Sequence, residues 1–295
     1  MSTRIGLNCA LSTPFEAAGA VDLPRMVAHA HWVLAHGCNG LTLFGTTGEG
    51  ASLGVAERHQ MLSALRAHGF AMREKVIAGV SASSIDEAVE QARAAYRANC
   101  RAIMLAPPFY FANASDDGLF AFFSCVFKEL GGDLRDVILY HIPGMTRNGI
   151  SVALTKRLMA AFPGAILGIK DSNGDWEATQ ERLRELSSLQ ILVGDERQLA
   201  RAVQKGGAGS ICGLANVAPD LLAPIANEGL EEPLVNAMVD AVLGYSFMPA
   251  IKALIADRLG DANWRIMRAP LDPLSEAETK TLASAIAAIR AQKAA

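Results

Sequence analysis

One lysine stands where an amine could do covalent chemistry. Ala165-Ile166-Leu167-Gly168-Ile169 is a nearly pure apolar run, and it ends in Lys170-Asp171. An amine in water has a pKa near 10.4, so less than roughly a thousandth of it is neutral at pH 7. Burial favours the neutral amine and frees its lone pair. A neutral amine attacks a ketone to give a carbinolamine and then an iminium, an electron sink for making or breaking the adjacent carbon–carbon bond. The bland alternative is a strand-end lysine paired with Asp171 or Glu196. Tyr140, in the run Val137–Ile142, offers a phenol that could shuttle protons to and from a carbinolamine. It also reads as an ordinary core tyrosine with its hydroxyl satisfied. Gly45-Thr46-Thr47-Gly48-Glu49 sets two hydroxyls and flexible backbone N–H groups on one turn, a cradle suited to a carboxylate. Such turns are also common without any ligand.

Other candidates are weaker. Asp195-Glu196 could bind substrate hydroxyls or equally cap the next helix. His29, His31 and His36 share one helix, but no two stand at i, i+3 or i+4, so a metal face is not expected. Gly206-Gly207-Ala208-Gly209 resembles a phosphate loop but precedes a strand, which places it at the wrong end of a barrel; it reads as a tight turn. No metal and no cofactor are expected.

These residues need elements to hold them. Eight short apolar runs recur: Ile5–Leu11, Leu41–Phe44, Lys75–Val80, Ala102–Ala106, Val137–Ile142, Ala165–Lys170, Gln190–Asp195 and Ser210–Leu214. They are continuous rather than alternating, as expected for strands buried on both faces. Helical patterns fill the gaps. Asp22 reads as a cap with Pro24 in the first turn, Ser84 with Glu87 as a capping box, and Ser115 and Ser151 as caps. Pro163-Gly164 reads as a stop, and Pro219 and Gly229 bracket another helix. Eight strand–helix units in series predict an α/β fold, a parallel (β/α)8 TIM barrel with its active site at the carboxyl ends of the strands. The doubly wound open sheet is the alternative, but no Gly-rich dinucleotide loop follows the first strand. The expected division is a barrel over 1–230 and a C-terminal helical extension over 231–295, with an alanine-rich tail that frays.

The composition excludes several partner classes. Hydrophobic residues make up 51% and charged residues 19% of the 295, the balance of a chain with a large core. Twenty-seven basic against thirty acidic residues leave a net charge of -3, so no basic field points to nucleic acid or an anionic membrane. No signal-peptide pattern or membrane-length apolar run stands out. The five cysteines are scattered and never form a C-x-x-C pair, which argues against disulfide or zinc frameworks and for a reducing cytoplasm.

Taken together, the motifs carry a resemblance that none carries alone. Gly45-Thr46-Thr47-Gly48-Glu49, Tyr140-x-x-Pro143, Ile169-Lys170-Asp171 and Gly209-x-Ile211-x-x-x-x-Asn216 occur in order and at matching intervals. Over nearly its whole length the chain resembles the dihydrodipicolinate synthase / N-acetylneuraminate lyase family, the pyruvate-dependent class I aldolases. The resemblance implies a pyruvate or 2-oxo acid Schiff base on Lys170, with Tyr140 as proton shuttle and no metal. It implies that Thr46 and Thr47 hold the pyruvyl carboxylate, that Thr47 links Tyr140 to a second tyrosine, and that Tyr110 is that tyrosine, reaching a neighbouring subunit's site. Ile211 would line the pyruvate pocket, and a homotetramer built as a dimer of dimers would be the assembly.

Within the family the pattern is mixed. The synthases carry an arginine two residues after the motif proline, where it binds the carboxylate of the aldehyde; here that position is Met145, and Arg147 lies two residues further on. Tyr140-His141-Ile142-Pro143 and the pair Asp195-Glu196, which binds sugar hydroxyls in the lyases, are closer to the sialic-acid lyases. Those lyases, however, have a serine where Thr46 stands and another near Gly213. The mosaic points to a different 2-oxo acid aldolase or dehydratase, such as one acting on a deoxy-sugar acid, with a neutral or hydroxylated aldehyde or a sugar acid as partner. The synthase activity, a non-catalytic barrel of the same fold and a phosphosugar enzyme are the alternatives.

Overall fold

Each of the eight apolar runs forms a strand. The computed structural model describes residues 4–292. The strands are β1 Gly6–Ala10, β2 Gly40–Leu43, β3 Val76–Val80, β4 Ala102–Leu105, β5 Val137–His141, β6 Ile166–Asp171, β7 Gln190–Val193 and β8 Gly209–Cys212. Every neighbouring pair is parallel, and β1 pairs with β8 to close the barrel. Nearly every strand residue is buried because side chains on one face fill the barrel while those on the other meet the helices. Ile77, Met104, Ile138, Leu192 and Ile211 belong to the inner layer, together with Tyr140. The outer layer includes Leu41, Ile103, Leu139 and Ile169, under the helices.

The expected caps hold, with one difference. Asp22 accepts from the Arg25 N–H at 2.9 Å and starts helix Leu23–Ala35. Ser151 accepts from the Leu154 N–H at 2.9 Å and starts Val152–Ala161. Ser84 accepts from the Glu87 N–H at 3.3 Å, but the return half of the expected box is absent. The Glu87 carboxylate accepts from the Gln91 side chain at 3.0 Å, one helical turn on. Gly206-Gly207 is a turn closed onto Val203 and Ala202 before β8, at the amino end of that strand, as expected.

The C-terminal helices Pro233–Leu243, Phe247–Leu259 and Glu276–Ala291 lie against the barrel's helices and loops. Arg290 donates to the Val217 carbonyl at 2.9 Å, and Arg258 reaches His29 Nδ1 at 3.3 Å. His29 Nε2 in turn meets Asn216 Oδ1 at 3.0 Å. Asn216 also accepts from the Ser12 N–H and donates to the Ala10 and Gly213 carbonyls, so it ties the carboxyl ends of β1 and β8 together. The fraying expected of the alanine-rich tail falls partly on residues 293–295, outside the described residues. No single helix among the described residues is long and apolar enough to cross a membrane.

Candidate active site

The register of two adjacent strands assembles the site. Tyr140 on β5 pairs directly with Lys170 on β6, and both side chains project into the barrel at its carboxyl end. Both are buried, at 4% and 5% exposure. Lys170 Nζ donates to the Tyr140 hydroxyl at 3.2 Å and lies 4.3 Å from the centre of its ring. The alternative pairing of Lys170 with Asp171 does not occur, because successive residues of a strand point to opposite faces. Asp171 faces outward, where it meets Arg182 at 3.2 Å and accepts from the Thr179 hydroxyl at 3.0 Å. His141 points outward beside it and accepts from the Ile150 N–H at 2.8 Å. Burial, with Arg182 nearby, pushes the His141 imidazole down to about 4.

The Gly45–Glu49 turn brings the third member, and it corrects one expectation. Thr46, rather than Thr47, reaches Tyr140: the two hydroxyls are 3.3 Å apart. Phe44 takes a left-handed conformation at φ 62°, so strand alternation stops there and cannot be extended into the turn. Thr47 is buried on the side of Gly213, where an added Cβ would lie 3.2 Å from its hydroxyl and only 2.5 Å from the Phe247 ring. Phe247 therefore occupies the space that a serine at Gly213 would need.

What fixes the turn is buried charge that the sequence pattern does not advertise. Arg58, from helix Val55–Ala67, is 2% exposed. Its guanidinium donates to the carbonyls of Gly50, Gly79 and Leu53 at 2.7, 2.8 and 3.2 Å. Desolvation lowers its pKa to about 10. Gly50 is required because a Cβ would sit 1.9 Å from the Phe44 carbonyl oxygen. Glu49 forms a fully buried ion pair with Lys252 of the C-terminal extension and accepts from the Arg268 N–H at 3.1 Å. Lys252 also donates to the Ile266 carbonyl at 2.7 Å. The one sequence signal for Lys252 is a lone charge inside the apolar run of helix Phe247–Leu259.

The remaining candidates are placed as follows. Ile211 is fully buried in the inner layer of β8. Tyr110 is 79% exposed and stacks edge-on against Phe111, itself 74% exposed; neither meets Tyr140 within this chain. Asp195 and Glu196 make their bonds in the loops after β7 and β8. Strand β7 ends at Val193, and Asp195 caps the turn Glu196–Gln198, accepting from the Arg197 N–H at 3.0 Å and pairing with the Arg197 side chain at 2.8 Å. Glu196 is buried and accepts from the Leu214 N–H at 2.9 Å, and desolvation raises its pKa. The cap, open as an alternative in the sequence, is what Asp195 forms.

Beside Tyr140 and Thr46 opens a cavity of about 260 Å³ whose wall also includes Ser52, Ser81, Phe109, Ile142, Met145 and Leu271. Among the described residues, no group of three His, Cys, Asp or Glu side chains is arranged to hold a metal ion.

Comparison with known proteins identifies the family and the fold. Residues 4–289 match the model of the dihydrodipicolinate synthetase family. The fold superposes on the crystal structure of dihydrodipicolinate synthase from Agrobacterium tumefaciens with a TM-score of 0.95 and 44% identity, covering 97% of this chain and 99% of that one. A 4-hydroxy-tetrahydrodipicolinate synthase of Rhizobium meliloti is 33% identical over 293 residues, 95% of this chain and 96% of that protein. An uncharacterised DapA-like lyase of Chloroflexus aurantiacus is 32% identical over 299 residues, 99% of each chain. With its lysine and tyrosine paired across β5 and β6, and with likeness along almost its whole length, the chain belongs to the dihydrodipicolinate synthetase family.

Proposed function

We propose that this protein is a class I aldolase or lyase that binds pyruvate, or another 2-oxo acid, as a Schiff base on Lys170. The observation that carries the reading is the buried chain from Lys170 to the Tyr140 hydroxyl to the Thr46 hydroxyl. The Lys170 amine attacks the ketone carbon. Tyr140, at hydrogen-bond distance, gives a proton to the carbinolamine hydroxyl, which leaves as water. The iminium then lowers the cost of removing a proton from the adjacent methyl carbon. The resulting enamine carbon attacks an aldehyde carbon, whose oxygen takes up a proton, and water hydrolyses the iminium to release the 2-oxo acid product and the amine. Cleavage is the same path in reverse.

The pyruvyl carboxylate sits on the Gly45–Glu49 turn. Among the described residues the Thr46 and Thr47 N–H groups have no backbone acceptor, while Gly48, Glu49 and Gly50 fold back onto Gly45 and Thr46. Synthesis of 4-hydroxy-tetrahydrodipicolinate from pyruvate and aspartate semialdehyde is the second reading, favoured by the likeness to the Agrobacterium and Rhizobium synthases. The apolar Met145 in the cavity wall speaks against it. The assembly we propose is a homotetramer in which Tyr110 extends to a neighbour, consistent with its exposure. The five free cysteines, four of them buried, support a cytoplasmic setting.

The test is pyruvate consumption or release over a panel of aldehydes and 2-oxo acids, wild type against Lys170→Ala. Turnover by the wild type and none by the folded variant is expected. Turnover that survives in Lys170→Ala would reject the reading.

A further inference from the structure

A second cavity, of about 450 Å³, opens at the amino ends of the strands, the end away from Lys170 and from the loop that carries Tyr110. Four of the residues that line it stand immediately before strands: Asn39 before β2, Lys75 before β3, Arg101 before β4 and Asp136 before β5. Arg4, two residues before β1, and Arg73, in the short helix Met72–Lys75, stand with them. Ile5 and Leu167 belong to the lower end of the barrel's inner layer and add an apolar surface. Barrel enzymes do their chemistry at the opposite face, so nothing in the proposed reaction uses these groups.

The charges around this cavity do not balance. Arg4, Arg73, Lys75 and Arg101 set four cations against the two acids Glu74 and Asp136, in a chain whose net charge is -3. Asp136 is already shared, at 2.9 Å from Arg73 and 3.5 Å from Arg135. Arg73 also donates to the Arg101 carbonyl at 2.8 Å, and Arg4 donates to the Asn227 carbonyl at 3.2 Å. A guanidinium has five N–H donors, so these bonds leave capacity on both. Burial lowers the Arg101 pKa, Asp136 raises it, and the neighbouring Arg73 cation lowers it again. Cations of one sign gathered in a recess focus the field and draw in anions.

We propose that this cavity binds a small anion that carries two or more negative charges on phosphate or carboxylate oxygens. Arginine forks match such oxygens with paired N–H donors, and Lys75 adds a point charge. Ile5 and Leu167 would meet the carbon skeleton of an organic anion. The site is separate from the reacting pair. Leu167 stands near the start of β6 and Lys170 near its end, three residues or about 10 Å further along the strand. The anion therefore does not compete with the 2-oxo acid, and the proposal does not depend on the Schiff-base reading.

The experiment is calorimetric titration of the full chain with inorganic phosphate, citrate and acetate, at an ionic strength held near ~0.15 M so that general screening is constant. Phosphate or citrate should bind saturably, and acetate about tenfold more weakly or not at all. The double variant Arg73→Gln, Lys75→Gln should lose about tenfold or more in affinity, since each charge-assisted hydrogen bond to an anion contributes on that scale. The Arg73 side chain is half exposed, so its replacement is tolerated, and thermal unfolding of the variant checks that it folds. Lys170→Ala should bind the anion as the wild type does. No saturable binding of phosphate or citrate by the wild type would overturn the proposal, as would equal binding of acetate. Affinity unmoved in the folded double variant would place the anion elsewhere and overturn it too, and affinity lost in Lys170→Ala would assign the anion to the reacting site instead.

Discussion

The Tyr140 hydroxyl sits between two groups, 3.2 Å from the Lys170 amine and 3.3 Å from the Thr46 hydroxyl. A proton relay needs that middle position, so Tyr140→Phe should lower kcat by roughly 10²–10⁴, the usual range for general acid–base contributions. Single-turnover rates of pyruvate trapping would measure it, and an unchanged rate would remove Tyr140 from the relay. The two threonines should separate. Thr46→Val breaks the contact with Tyr140, while Thr47→Val does not. We expect the larger fall in kcat for Thr46→Val, and the reverse order would restore the role first expected of Thr47. Lys170 is legible in the sequence because a strand-end amine breaks an apolar run. Which threonine faces Tyr140 is not, because φ 62° at Phe44 interrupts the two-residue period on which such readings depend.

At the level of elements, strands and caps follow from local rules, but the charges that brace the site do not. Arg58 and Lys252 lie in helices whose sequence allows a solvent-facing side chain, and only tertiary packing buries them. Lys252→Met would leave Glu49 buried without its partner, a change that costs about 3–5 kcal/mol. Denaturant unfolding would read this, and a loss below about 1 kcal/mol would show that Glu49 finds another partner or water.

His29 makes a pH prediction. Desolvation, reinforced by Arg258, pushes its pKa from 6.5 down to about 4. The unfolded chain therefore binds the extra proton between these values. The stabilising contribution of neutral His29 is complete above about pH 6.5 and is lost as pH falls toward 4. Moving from pH 7 to pH 5 should cost about 2 kcal/mol through this residue. His29→Gln should lessen the pH dependence of unfolding by that amount, and parallel wild-type and variant curves would contradict it.

For the whole molecule, the boundary drawn in the sequence near residue 230 does not divide the chemistry. Met248, Pro270 and Leu271 stand in the cavity wall, and Lys252 braces the turn that carries Thr46. The sequence identifies the extension as helical, but it gives no sign that these residues reach the mouth of the barrel, because that depends on how helices are docked. Assembly belongs to this scale too. If Tyr110 completes a neighbour's site, Tyr110→Phe should lower activity while sedimentation shows the oligomer intact. A monomeric wild type with full activity would exclude that role.

The central claim is a covalent one, that the buried amine between β5 and β7 is the group that takes up the 2-oxo acid. The most direct measurement is reduction with borohydride in the presence of pyruvate, followed by peptide mass mapping. A reduced pyruvyl group on Lys170, absent in Lys170→Ala, is the predicted result; label on another lysine, or none on folded protein, would contradict it.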